Sequence, residues 1–179
     1  PDVRIPSLLG VGEDDPALNR LLDRLRRPRY LPVGSREGLR RLRDGVPDVA
    51  VVAGPASREV ESVDLGGWTR DWGLVVPEGN PENVEDLGDL VDRELRLVNR
   101  DANSGLRRSL DDALDALADE RGSSRGDLTA AIDGYDLTVK AYESPARKVA
   151  AGKADVGVGL QATAEDLGLG FVPRSEEHT

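Results

Sequence analysis

The chain has 179 residues and a formal net charge of −10. This length suits one large domain or two small lobes, and the acidic balance excludes a general nucleic-acid surface, because phosphate backbones require clustered basic residues. Cysteine is absent, which excludes disulfides and thiolate metal sites. No apolar run of about 18 residues predicts a membrane span, and no basic and apolar leader opens the sequence, so we expect a cytoplasmic protein.

Strands and amphipathic helices alternate through the first part of the chain. Pro16 suits a first helical position, Ser35 a helix start and Gly45 a helix end. The predicted elements are a strand over 3–9, a loop over 10–15, a helix from Pro16, a strand over 30–33, a helix from Ser35 to Gly45 and a strand over 48–54. This alternation predicts a largely parallel sheet that is covered on both faces.

The second part of the chain follows a surface loop over 53–70 and a strand over 73–77. Glycine and proline in segment 78–81 predict a boundary between lobes. The later elements are a helix over 84–90, a strand over 95–98, a helix from Ser104 to Gly122, a helical turn over 128–132, a strand over 137–142, a helix from Ser144, a strand over 155–158, a helix over 161–167 and a strand over 170–173.

One pattern occurs twice in the chain. Residues 35–53 and 144–160 each read as a capped helix, a glycine and a buried strand that begins with Asp-Val. We therefore predict two α/β lobes of similar design, 1–76 plus 168–179 and 77–167, each a mainly parallel sheet flanked by helices; chance similarity is the alternative. Methionine is absent, so we expect the chain to be a fragment of a longer protein.

The junction between the strand near Val98 and the next helix predicts a socket for a small anion. Ser104 can cap the helix, Gly105 lets a ligand approach the backbone, and Arg107 adds a cation. The unpaired N–H groups and the positive end of the helix dipole favour negative charge there. An ordinary capped helix with a surface arginine is the alternative.

Further helix starts follow strands at 13–16, Ser35 and Ser144. In two facing lobes, these starts can converge on one cleft, because ligands of open α/β sheets lie at the carboxyl ends of the strands. For each serine, a purely structural cap is the alternative.

Two arginines, Arg100 and Arg107, flank the predicted socket. Guanidinium groups match tetrahedral or carboxylate oxygens through paired hydrogen bonds. The alternative is that either arginine only pairs with Asp101 or Asp111.

Few residues suggest catalysis. The sole histidine, His178, lies in a polar tail, so a serine hydrolase triad of the usual kind has no base. No dinucleotide fingerprint or metal-ligand cluster occurs, and we expect no cofactor and no metal. The competing function is an enzyme that acts on a small anionic metabolite in the same cleft, with Asp14 or Asp15 as the base.

The charged residues also have a distinctive distribution. Lys140, Lys148 and Lys153 are the only lysines, and acidic residues crowd the predicted helix faces. This combination resembles proteins of salt-loving archaea, so we interpret the net charge as an adaptation of the surface to solvent, with the ligand site as a local exception.

Nearly the whole chain resembles the substrate-binding-like domain related to type II periplasmic binding proteins and to effector domains of LysR-type regulators. The segments that carry this resemblance are 12–18, 33–35, 73–77 with 79–81, 98–100 with 104–107, 152–159 and 167–173. The resemblance implies a two-lobed α/β fold and non-catalytic binding of molybdate, tungstate or a related oxyanion. It also implies a fused helix-turn-helix or molybdopterin-biosynthesis domain, and is compatible with a homodimer. An extracytoplasmic solute receptor of an ABC transporter is an alternative.

The first loop departs from that family. Glu13 and Asp14 stand where relatives usually have serine and histidine, and Leu106 stands where threonine is usual. An added carboxylate would repel an oxyanion, so a regulatory interaction domain with a vestigial cleft remains open. We predict that the cleft between the lobes is lined by Glu13, Asp14, Ser35, Ser104, Gly105, Arg107 and Ser144.

Overall fold

The computed structural model describes residues 8–54 and 60–178, with side chains as far as residue 174. The strands are β1 (Leu8–Gly12), β2 (Pro28–Pro32), β3 (Val49–Val51), β4 (Thr69–Val76), β5 (Leu97–Arg100), β6 (Thr138–Val139), β7 (Val156–Leu160) and β8 (Gly170–His178). The helices are α1 (Pro16–Leu22), α2 (Ser35–Arg43), α3 (Leu87–Asp92), α4 (Gly105–Arg121), α5 (Arg125–Ala131), α6 (Ser144–Ala150) and α7 (Gln161–Asp166). The start of the predicted strand over 3–9 and part of the loop over 53–70 lie outside the described residues.

The first lobe consists of a three-stranded parallel sheet with α1 and α2. Its strand order is β2-β1-β3, and α2 packs on β1 and β3. A Cβ at Gly38 would lie 2.8 Å from the Cα of Gly12, so glycine permits the close approach of helix and strand. Residues 10–12, which we predicted as loop, extend β1, because their backbone pairs with strands on both sides.

The second lobe consists of a five-stranded sheet with α3 to α7. Its order is β6-β5-β7-β4-β8, with β5, β6 and β7 parallel and β4 antiparallel to both its neighbours. The long strands β4 and β8 pair with each other in this sheet. Our predicted lobe boundaries, 1–76 plus 168–179 and 77–167, group both strands with the first lobe. The prediction of an α/β fold with helix-flanked sheets is confirmed.

Apolar side chains cover both faces of the second sheet. Alternation along β4 directs Leu74 into a large cluster with α3, α4 and Ile132, the C-cap residue of α5, and Val75 into a smaller one with α6 and α7. The predicted apolar stripe of α4 is confirmed, since Leu106, Leu110 and Leu114 are fully buried.

The start of one helix and the N-cap residue of another differ from those we predicted. Helix α3 begins after Asp86, which forms a capping box with Asp89, rather than at residue 84, where the predicted helix over 84–90 starts. Helix α6 has Glu143 at its N-cap, and Ser144 is its first residue, ahead of Pro145. Among the described helices, none combines the length and the apolar character that a membrane span requires.

Candidate functional site

The N-terminus of α2 in the first lobe faces that of α4 in the second. A Cβ at Gly34 would lie 2.5 Å from the carbonyl oxygen of Asn103, and one at Gly105 would lie 2.3 Å from the Cβ of Ala53. The backbone N–H of Arg36 donates to Asn103 O at 3.2 Å. The two helix starts therefore meet at backbone contact distance.

The side chain of Glu13 fills the point where these helix starts meet. Its Oε2 accepts hydrogen bonds from the N–H of Ser35 at 3.1 Å, the hydroxyl of Ser35 at 2.6 Å and the N–H of Gly105 at 2.9 Å. Its Oε1 accepts from the hydroxyl of Ser104 at 3.1 Å. We call this arrangement of Glu13, Ser35, Ser104 and Gly105 the carboxylate site, and Glu13 is completely buried in it.

The donors of the carboxylate site are those that bind small anions at helix N-termini. The first amides of a helix lack intrahelical acceptors, and the helix dipole is positive at that end. Ser104 is the N-cap of α4, but its side chain makes no capping hydrogen bond; its hydroxyl donates to Glu13 instead. The Ser35 oxygen accepts from the N–H of Ala53 at 2.9 Å, which orients its own hydrogen towards Glu13.

Residues of the first lobe and of β4 surround the carboxylate site. Arg70 forms an ion pair with Asp15 at 2.8 Å and lies 3.9 Å from Oε1 of Glu13. Asp15 also caps α1 by accepting from the N–H groups of Ala17 and Leu18. Both carboxyl oxygens of Asp15 are thus engaged within the protein, which leaves this residue poorly suited to act as a base.

Tyr30 fixes the backbone next to the carboxylate site. Its hydroxyl donates to the carbonyl oxygen of Glu13 at 2.7 Å. Burial, together with the negative charges of Glu13, Asp14 and Asp15, raises the pKa of Tyr30. The phenol therefore remains a neutral donor.

A pocket of about 280 Å³ adjoins the carboxylate site. Both lobes contribute to this adjoining pocket, which is lined by Asp14, Pro32, Val33, Gly34, Glu37, Arg41, Arg100, Asp101, Asn103, Ser104 and Lys140. Asp14 is half-buried and accepts from the N–H of Tyr142 at 3.2 Å. This contact ties the loop ahead of α6 to the first lobe.

Arg100 is the buried cation of the adjoining pocket, with 2% of its surface exposed. Its Nη2 donates to the carbonyl oxygen of Lys140 at 2.8 Å, whereas Nε and Nη1 have no hydrogen-bond partner among the described residues. Burial lowers the pKa of Arg100, while the charges of Glu13, Asp14 and Asp101 oppose that effect. An arginine nevertheless stays protonated in a protein, so this wall of the pocket carries a positive charge.

The structure brings Glu13, Ser35, Ser104 and Gly105 into direct contact and places Asp14 beside them. Ser144 starts α6, two residues after the contact of Tyr142 with Asp14.

The side chain of Arg107 makes its contacts within the second lobe. It donates to Asp111 at 3.0 Å and to the carbonyl oxygen of Arg100 at 3.3 Å, and it stacks 4.1 Å from the ring centre of Tyr135. This matches the pairing with Asp111 that we considered as an alternative to ligand binding.

Sequence reasoning did not identify Arg70 or Tyr30 as neighbours of the site. Neither belongs to a motif, and each reaches Glu13 only through the folded chain. Within residues 8–54 and 60–178, no group of three or more histidine or acidic residues could hold a metal ion.

One curated relative and several solved structures are similar to this chain. The uncharacterized protein YvgK of Bacillus subtilis (strain 168) is 34% identical over 108 residues, which is 60% of this chain and 32% of YvgK. The chain thus matches about a third of that relative's length.

The solved structures share the fold at low sequence identity. The sulfate-binding protein SubI from Mycobacterium tuberculosis H37Rv is 16% identical with a TM-score of 0.66, covering 97% of this chain and 72% of SubI. An ABC-type phosphate transport receptor from Vibrio cholerae is 18% identical with a TM-score of 0.57, covering 93% of this chain and 75% of the receptor. The two-lobed architecture of the periplasmic binding protein type, which the sequence resemblance predicts, is therefore confirmed.

A family model described as the PBP superfamily domain matches residues 19–179. The match includes α2 and α4, whose N-termini form the carboxylate site, and every strand except β1; Glu13 lies ahead of its first residue. The chain belongs to the PBP superfamily.

Proposed function

We propose that this chain is a non-catalytic domain that binds or senses a small oxyanion, such as molybdate or tungstate, in the cleft between its lobes. The observation that carries the proposal is Arg100, which borders the adjoining pocket with Nε and Nη1 unpartnered among the described residues. Buried polar groups without partners are costly, and native proteins contain few of them. A turn of the guanidinium group towards the pocket would offer these nitrogens to an oxyanion, because a guanidinium group matches oxyanions through paired hydrogen bonds.

The size of the adjoining pocket favours a ligand of few atoms. Its volume of about 280 Å³ lies just below the roughly 300–1,000 Å³ that is usual for pockets of drug-sized ligands. The lining has three basic residues, Arg41, Arg100 and Lys140, and three acidic residues, Asp14, Glu37 and Asp101. Arg41 and Glu37 pair with each other at 2.8 Å, so the attraction for an anion depends mainly on Arg100 and Lys140 acting together against Asp14 and Asp101.

The structural neighbours support the ligand class. SubI is named for sulfate and the Vibrio receptor for phosphate, and both ions are tetrahedral. Molybdate and tungstate are tetrahedral as well, and the sequence resemblance is what favours them. In the same proposal, the domain works in the cytoplasm beside a helix-turn-helix or molybdopterin-biosynthesis domain, with a homodimer as the assembly.

Isothermal calorimetry in concentrated salt tests this function. We expect saturable binding of at least one oxyanion among molybdate, tungstate, sulfate and phosphate, with tenfold or greater weakening in Arg100→Met. The matched control is Arg125→Met, since Arg125 pairs with Asp115 on the surface at 2.7 Å, away from the pocket. Absence of binding by all four ions to the folded protein would contradict the proposal.

The second candidate function is an enzyme, and the position of Asp14 favours it. It lines the adjoining pocket and is half-buried, so its carboxylate could act on a bound anionic metabolite. Turnover that disappears in Asp14→Asn would favour the enzyme, whereas saturable binding without turnover favours the binding domain.

A further inference from the structure

Glu13 contacts both lobes in the manner of a bound anion. The N–H and hydroxyl of Ser35 belong to the first lobe, and the hydroxyl of Ser104 and the N–H of Gly105 belong to the second. Ser35 and Ser104 are themselves almost fully buried. A single carboxylate thus bridges the lobes through four donors, as an external ligand of a two-lobed binding domain would.

Hydrogen bonds of the Glu13 backbone hold this carboxylate in place. The N–H of Glu13 donates to Val51 O at 2.9 Å, and its carbonyl oxygen accepts from Tyr30 at 2.7 Å. A tethered group of fixed orientation binds with a high effective concentration and loses little conformational freedom. Free anions at ordinary concentration therefore compete poorly with it.

The surroundings of Glu13 are suited to negative charge beyond these hydrogen bonds. Arg70 lies 3.9 Å from Oε1, and the buried cation of Arg100 interacts electrostatically with Glu13. Without the Glu13 side chain, this positive environment and the four donors would face a space of the size of a carboxylate.

We propose that Glu13 is an internal ligand, whose carboxylate holds the two lobes together without an external anion and covers a latent site for a small carboxylate or a tetrahedral oxyanion. The latent site accepts formate or acetate when the Glu13 side chain is removed. This inference concerns the carboxylate site, and it holds whether or not the adjoining pocket binds an oxyanion.

Chemical rescue of Glu13→Ala tests the proposal. The thermal midpoint of this variant is measured against sodium formate, sodium acetate and sodium sulfate, with sodium chloride at equal ionic strength as the reference. At a hundredfold excess over Kd, we expect a saturable rise in Tm of about 5 to 10 °C that chloride does not reproduce. The wild-type protein and Glu165→Ala, which removes an exposed carboxylate on α7, should show no such rise with formate or acetate relative to chloride.

The opening of the lobes gives a second readout. Small-angle scattering should show a larger radius of gyration for Glu13→Ala in chloride, and a return towards the wild-type value in formate. Equal responses of variant and wild type to the anions, or an unchanged radius, would overturn the proposal. Loss of oxyanion binding in Arg100→Met would not produce these results, so the two proposals fail separately.

Glu13→Gln is the substitute variant if Glu13→Ala does not fold even with formate. The amide keeps the volume of the side chain but removes the charge and one acceptor oxygen. Hydrogen exchange at the amides of Ser35 and Gly105 should then accelerate at least tenfold relative to amides of β7. Unchanged exchange at both amides would also overturn the proposal.

Discussion

The two lobes bury different kinds of side chain. Among the described residues, the apolar clusters lie in the second lobe, whereas the buried hydrophobic residues of the first lobe are Val11, Leu18 and Ala53. The first lobe instead buries Glu13 and Asp15. The second lobe is therefore stabilised by apolar burial, and the first depends on hydrogen bonds and ion pairs that it shares with its neighbour.

Exposed apolar residues show the same difference. Leu21, Leu31 and Val46 of the first lobe are 48%, 46% and 61% exposed. These side chains contribute little to a core, although the alternation of strands and amphipathic helices in this region predicts a sheet that is covered on both faces. A small lobe with so few buried aliphatic side chains is stable mainly as a part of the whole domain.

The largest expected effect tests the difference in apolar packing between the lobes. Leu114→Ala removes a fully buried side chain of α4 and should lower the free energy of unfolding by about 2–5 kcal/mol. Leu21→Ala in α1 should change it by no more than about 0.5 kcal/mol. Urea denaturation followed by circular dichroism measures both, and equal losses would contradict the difference between the lobes.

Loss of a buried carboxylate in the first lobe should lower the free energy of unfolding more than Leu21→Ala does. Asp15→Ala removes the N-cap of α1 and the ion pair with Arg70, so we expect a loss of about 2–3 kcal/mol. Asp23→Ala, at the exposed C-cap of the same helix, is the control and should have little effect. Denaturation curves of the two variants that coincide would show that α1 does not depend on Asp15.

Alkaline pH should weaken the first lobe through Tyr30. Its pKa is raised in the folded protein, chiefly by burial, so the unfolded chain loses this proton first. Stability therefore falls as the pH rises above the ordinary tyrosine pKa of about 10, by up to about 1.4 kcal/mol per pH unit. We expect Tyr30→Phe to remove this decrease in the free energy of unfolding with pH, measured by urea denaturation between pH 9 and 11.5. An identical pH dependence in both proteins would argue against a role of Tyr30.

The smallest expected effect concerns the exposed face of α2. Hydrogen bonds from Arg40 and Arg41 lower the pKa of Glu37 to about 2. A lowered pKa stabilises the fold above the ordinary value of 4.5, and this contribution is lost as the pH falls towards 2. Melting temperatures of wild type and Glu37→Gln should converge over that range, with little separation in concentrated salt. A separation that persists at pH 2 would assign the stabilisation to another contact.

Local signals were sufficient to predict much of the second lobe. The apolar spacing of α4, its glycine C-cap and the strand before it all agree with the structure. The antiparallel pairing of β4 with β7 and β8 was not predictable, because it joins distant segments whose sequences carry no register signal.

The candidate site was predictable only in part. Ser35, Ser104 and Gly105 stand at helix starts, which sequence reveals, and Glu13 was recognisable as an unusual residue in the first loop. Its insertion between the helices depends on side-chain direction, which periodicity does not determine. The pairing of Arg107 with Asp111 at a separation of four residues was visible as an alternative.

The glycines at the facing helix starts set the width of the cleft. Because a Cβ at Gly105 would lie 2.3 Å from the Cβ of Ala53, and one at Gly34 would lie 2.5 Å from the oxygen of Asn103, the lobes touch through bare backbone. Any larger residue at Gly105 would act as a spacer between two otherwise intact lobes. The absence of a Cβ at these two glycines therefore permits the observed distance between the lobes, and a single added methyl group would force the lobes to shift apart.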